Sequence, residues 1–163
     1  VPVVLRPGYI SLEMLKETLG DVRMDRGLLI TDNSVHPKAP GMKYRHYAPK
    51  ADLSIVEGTE EQVIGCINRL SAEAEQKGLK VGVIATNETK DRYAHADVFS
   101  IGSREEEETI AHHLYEVLRN FDDDQVDLIY SEAFYTPRMG QAIMNRLLKA
   151  AGHKIINAQE EKK

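Results

Sequence analysis

From Asp52 onward, apolar and polar positions recur with regular periods, and those periods predict alternating strands and helices. Leu53–Glu57 reads as a strand. Thr59, with Gln62 three positions on, forms a capping box, and Val63, Ile67, Leu70 and Ala74 follow at helical spacing up to Gly78. Lys80–Thr86 is a second, apolar strand, a short helical turn covers Asn87–Tyr93, and Val98–Ile101 is a third strand. Ser103 and Glu106 suggest another capping box. Ile110, Leu114, Val117, Leu118 and Phe121 form the core stripe behind it. Asp127–Ser131 is a fourth strand. Thr136-Pro137 opens a last helix carrying Ile143, Leu147 and Leu148, Gly152 closes it, and Lys154–Asn157 is a final strand. Strands alternating with helices imply a parallel sheet covered on both faces. The expected fold is therefore α/β: a Rossmann-like, three-layer α/β/α unit with a mostly parallel sheet of about five strands.

The first fifty residues follow no such rule. Val3–Leu5 is strand-like, and Ser11 caps an amphipathic segment bearing Leu12, Leu15 and Leu19. Beyond Gly20 periodicity fades, and Pro37, Pro40 and Pro49 bias their neighbours away from helix. The chain divides into 1–20, an extended linker over 21–51, the Rossmann-like unit over 52–158 and a frayed charged tail over 159–163. The opening Val-Pro-Val-Val-Leu, without methionine or a preceding turn, reads as an entry in mid-strand, so a piece of a longer protein is expected.

Composition narrows the function classes. Hydrophobic residues make up 42% and charged residues 29% of the 163, ordinary for a globular protein. The net charge of −5 gives no global field toward nucleic acid or an anionic membrane. One cysteine, Cys66, excludes an internal disulfide and fits a reducing, cytoplasmic setting. No apolar run is long enough to span a bilayer.

Against that acidic background, no acidic residue occurs from Asn33 through Ala51, where the chain reads APGMKYRHYAPK between Ala39 and Lys50. Arg offers a planar fork for phosphate oxygens, Lys a point charge, and Tyr a ring that lies on a purine while its hydroxyl stays wet. Lys43, Tyr44, Arg45, His46 and Tyr47 are thus the parts of a strap over a nucleotide or acyl-phosphate. On composition alone, a solvated basic linker is the commoner outcome for so short a motif. Arg6, before Pro7-Gly8, is a weaker candidate of the same kind. In the Rossmann-like unit, Ser131, Glu132, Tyr135 and Arg138 gather where open α/β sheets bind ligands, and free amides at the helix start could hold an anion. Ordinary loop polarity explains that grouping equally well, since no GxGxxG is present. The six histidines show no zinc spacing, so no metal site is expected. Asp122-Asp123-Asp124 reads as solvated, and Cys66 has no basic neighbour to activate it.

The wording of these stretches goes further than their composition. VLRPGYIS, then APGMKYRHYAPK, then IAHHLYEVLRNFDD, VDLIYSEAF and GQAIMNRLLKAAG resemble the long, two-domain form of L-threonylcarbamoyl-AMP synthase. The resemblance implies that 1–20 is the end of a YrdC-like catalytic domain otherwise outside this chain. Such an enzyme joins threonine, bicarbonate and ATP into threonylcarbamoyl-AMP, with magnesium, releasing pyrophosphate. The product feeds threonylcarbamoyladenosine modification of tRNA through a downstream transferase complex. Arg6, Lys43, Tyr44, Arg45, His46 and Tyr47 would then contact the adenylate, with the linker as a lid. These 163 residues alone are expected to be inactive and to hold no tightly bound cofactor. The turn Tyr135–Gly140 departs from the glycine-richer turn expected in the family. The alternative is a stand-alone Rossmann-type nucleotide-binding or regulatory module. Direct tRNA binding is disfavoured by the acidic net charge.

Overall fold

The computed structural model describes residues 1–26 and 48–159. In the first part, β1 (Val3–Val4) and β2 (Arg23–Met24) pair in parallel around α1 (Leu12–Leu19). The Ser11 hydroxyl accepts the Met14 amide at 3.2 Å, which starts α1 as its sequence predicts. β2 falls within the segment read as linker. A two-residue strand is too short to leave a periodic signal.

The second part contains β3 (Asp52–Glu57), α2 (Glu60–Gln76), β4 (Val81–Ala85), a 3-10 turn (Lys90–Arg92), β5 (Asp97–Ser100), α3 (Glu107–Asp123), β6 (Leu128–Glu132), α4 (Gly140–Ala151) and β7 (Ile155–Asn157). The five strands form one sheet in the order β5-β4-β6-β3-β7, and every described pairing is parallel. Pleating sends alternate residues to opposite faces. Leu53, Ile55, Ile84 and Ile129 pack with α3 and α4, while Val56, Val81, Val83 and Ala85 pack with α2. The result is three layers, α/β/α. Every residue of β4 is buried, the signature of a strand covered on both sides.

Gly82 shows how closely the layers fit. A Cβ there would collide with the ring of Phe121, which lies over the bare backbone of β4 and meets Phe99 edge-on at 4.8 Å. The Thr59–Gln62 capping box is present in both halves, the Thr59 amide donating to Gln62 at 3.1 Å and the Gln62 amide to Thr59 at 3.3 Å.

The starts of α3 and α4 differ from expectation. Ser103 does not cap α3. Its hydroxyl donates to Glu88, and the Arg104 amide donates to the same carboxylate at 3.2 Å, so 103–106 form a turn and the helix begins at Glu107. The Thr136 hydroxyl caps nothing. Glu107 instead accepts the amides of Arg138 and Met139 at 3.0 and 2.6 Å, so a carboxylate from α3 fixes the entry to α4. Among the described residues no helix is long and apolar enough to cross a membrane.

Candidate functional site

The loops leaving β3 and β6, neighbours in the sheet, turn to opposite faces, β3 into α2 and β6 into α4. Such divergence opens a crevice beyond the carboxyl ends of the strands. A cavity of about 460 Å³ lies there, lined by Glu57, Gly58, Tyr93, Arg104, Glu132 and Tyr135 among others.

Its floor is built around Glu132, the last residue of β6, which is 3% exposed. A carboxylate so far from water needs partners. The Arg104 guanidinium donates to it at 2.8 Å, the Tyr93 hydroxyl at 2.9 Å, and the Thr89 hydroxyl also donates. Arg104 donates a second bond to the Ala133 carbonyl at 3.0 Å, and its guanidinium sits 5.0 Å from the centre of the Phe134 ring. Burial, then the Glu132 charge, pushes the Tyr93 phenol well above its ordinary range, so Tyr93 stays a donor. At the rim, the Tyr135 hydroxyl donates to Glu57 at 2.8 Å. Burial and that bond push the Tyr135 phenol up to about 12.

Of the residues singled out from sequence here, Glu132 and Tyr135 line the cavity. Ser131 points to the other face of β6, buried, its hydroxyl donating to the Glu132 carbonyl at 2.8 Å. Arg138 is exposed and pairs with Glu108 at 2.9 Å. The amides at the start of α4, an anion seat on paper, are occupied by the protein's own Glu107. Arg6 is exposed, and its charge, after partial burial, helps hold the Lys149 ammonium below its usual range. Lys43, Tyr44, Arg45, His46 and Tyr47 lie outside the described residues. Sequence reasoning missed Glu57, Tyr93 and Arg104 as lining residues. Glu57 carried a usable signal, as the last residue of a strand before a capped helix. Arg104 carried none, because its partner is 28 residues away. Among the described residues no group of three or more His, Cys, Asp or Glu side chains converges as a metal site.

The family described as "Threonylcarbamoyl-AMP synthase, C-terminal domain" matches residues 10–152. Threonylcarbamoyl-AMP synthase of Bacillus subtilis is 45% identical over 156 residues, covering 96% of this chain and 43% of that protein. The crystal structure of Pyrococcus abyssi Sua5 complexed with L-threonine superposes with a TM-score of 0.82 at 38% identity, covering 95% of this chain and 44% of that one. A solved variant of the same archaeal protein, with a histidine and the tyrosine after it changed to alanine, gives a TM-score of 0.82 at 37% identity over 95% of this chain and 43% of that one. The chain thus spans less than half the length of these relatives. It belongs to the threonylcarbamoyl-AMP synthase C-terminal domain family.

Proposed function

We propose that this chain supplies the lid and second domain of an L-threonylcarbamoyladenylate synthase, which makes threonylcarbamoyl-AMP and pyrophosphate from threonine, bicarbonate and ATP for the modification of tRNA. The observation that carries this reading is a family match running from residue 10 to residue 152, straight through the KYRHY motif. The named P. abyssi complex with L-threonine supports threonine as a substrate. The solved histidine–tyrosine variant supports a role for such a pair, and His46-Tyr47 is the one His-Tyr pair in this sequence.

The chemistry asks for such a lid. A carbamate and a mixed carbamoyl-phosphate anhydride are both open to attack by water. In this reading Tyr44 and Tyr47 exclude water, Lys43 and Arg45 offset phosphate charge as pyrophosphate departs, and Arg6 and His46 complete the contacts to the adenylate. A YrdC-like domain of the parent, acting in cis, supplies the rest of the site. The family implies magnesium, but the described residues present no converging donor set for it, and no step here runs through the ion.

Threonine- and bicarbonate-dependent pyrophosphate release tests the reading. The full-length parent turns over, and the 163 residues alone release nothing above background. In the parent, Tyr44→Ala, Arg45→Ala and Tyr47→Ala each lower the rate, on the order of 10²-fold for the arginine. Robust turnover by the isolated chain, or near-normal rates in all three variants, would overturn it.

A further inference from the structure

We propose that the cavity at the carboxyl ends of β3 and β6 binds a small organic cation, an amine or guanidinium compound, against Glu57 beside the ring of Tyr135. A Rossmann-like fold invites the opposite expectation, a nucleotide with its phosphates at a helix start. The lining argues against that. Among the described residues, three carboxylates, Glu57, Glu60 and Glu132, face the space with a single guanidinium, Arg104, and no lysine. Arg104 is already paired to Glu132 at 2.8 Å and bonded to the Ala133 carbonyl at 3.0 Å, so its charge is neutralised before any ligand arrives. Glu60 is already paired with Arg92 at 3.5 Å, so Glu57 carries the charge a ligand meets, and among the described residues a phosphate entering here would find no unspent cation in the lining.

The balance of donors and acceptors points the same way. The Tyr93 and Tyr135 hydroxyls spend their protons on Glu132 and Glu57, so both phenol oxygens are left to accept. Among the described residues Tyr135 is the one side chain hydrogen-bonded to the Glu57 carboxylate, and one of that carboxylate's oxygens stays open. An acceptor-rich, negatively charged cavity suits a ligand that brings positive charge and N–H donors. The ring of Tyr135 is a second, independent feature. It is 66% exposed at the rim, tethered by its hydroxyl, and offers a π face to a cation. The cavity volume of about 460 Å³ suits a metabolite-sized compound.

The proposal does not depend on adenylate formation, since it is tested on this chain without nucleotide chemistry. Isothermal titration calorimetry with agmatine and with putrescine is expected to give saturable one-to-one binding, while ATP gives none. Glu57→Gln and Tyr135→Ala each weaken amine binding by about tenfold or more, as loss of a charge-assisted contact does. Tyr135 is exposed, so its variant keeps the fold even if Glu57→Gln does not, and a thermal melt checks both. Glu13→Gln, on α1, removes the same charge away from the cavity lining and leaves binding unchanged, which separates a site from general attraction to an acidic chain. No saturable heat with either amine, equal affinity in the Tyr135→Ala chain, equal loss in the Glu13→Gln chain, or ATP binding where amines fail would each overturn the proposal.

Discussion

At the carboxyl end of the sheet, Glu132 is 3% exposed and tied to Arg104, Tyr93 and Thr89. At the amino end, Lys80 pairs with Asp97 and Asp124 at 3.6 and 3.0 Å while about half its side chain meets water, and Lys154 pairs with exposed Asp52. Both ends contain acid–base pairs of similar length. Their surroundings differ, and that decides what each pair is worth. Water and salt screen the exposed pairs, so losing one strands nothing. The buried carboxylate has no such alternative. Remove its partner and a charge remains in a poorly solvated place. The cavity lies at the end where desolvation makes charges costly and therefore positioned. The amino end is solvated scaffolding: the hydrogen bond Lys80 donates to Asp124 and the added proximity of that charge raise the Lys80 ammonium above its ordinary range despite desolvation.

The largest expected effect breaks the buried side of this comparison. Arg104→Ala leaves the Glu132 charge uncompensated and is expected to cost about 3–5 kcal/mol, read from the urea midpoint. The double replacement Glu132→Leu with Arg104→Met removes both charges and is expected to cost much less. If the single and double variants lose the same amount, the stranded charge is not the cause. Next comes Glu107→Ala, which deprives α4 of its distant cap. A loss of about 1–2 kcal/mol is expected, with the amide protons of Arg138 and Met139 exchanging faster.

The third prediction concerns pH at the amino end. Partial burial, then the Lys149 charge, holds the His153 imidazole below its ordinary range. The unfolded chain takes up that proton near pH ~6.5, whereas the folded chain takes it up only at lower pH. Between those two values the unfolded state binds more protons, so this residue makes stability rise with pH and fall as the solution is acidified through the window. His153→Asn tolerates the positive φ of 63° at this position and should flatten that part of the urea-midpoint profile. An unchanged slope would assign it to other groups. The smallest effect is expected for Lys80→Gln, a shift in urea midpoint close to the error of measurement and erased by added salt. A large, salt-insensitive loss there would remove the contrast between the two ends.

Elements whose signals are local were legible in the sequence. α2 starts where Thr59 and Gln62 say it should, because both halves of its capping box lie within four residues. The boundaries of β3, β4, β5, β6 and β7 fall within a residue or so of the apolar runs that predict them. The starts of α3 and α4 were not legible, because Glu88 and Glu107 intervene from 16 and 31 residues away. Local propensity at Ser103 and Thr136 lost to a carboxylate brought in by the fold. Glu132 could be singled out because it directly follows the predicted strand Asp127–Ser131. Its partners Tyr93 and Arg104 could not, since each lies on a separate connection that only the packed sheet brings to the same place.

The sequence by itself determined the layer architecture, the burial of β4 and the family, because hydrophobic period and local wording survive without coordinates. Tertiary structure alone decided the strand order β5-β4-β6-β3-β7, and with it which loops diverge and which charges share a cavity. The physical reason is range. Periodicity and caps act over a few residues, whereas desolvation and charge pairing depend on what the folded chain sets side by side.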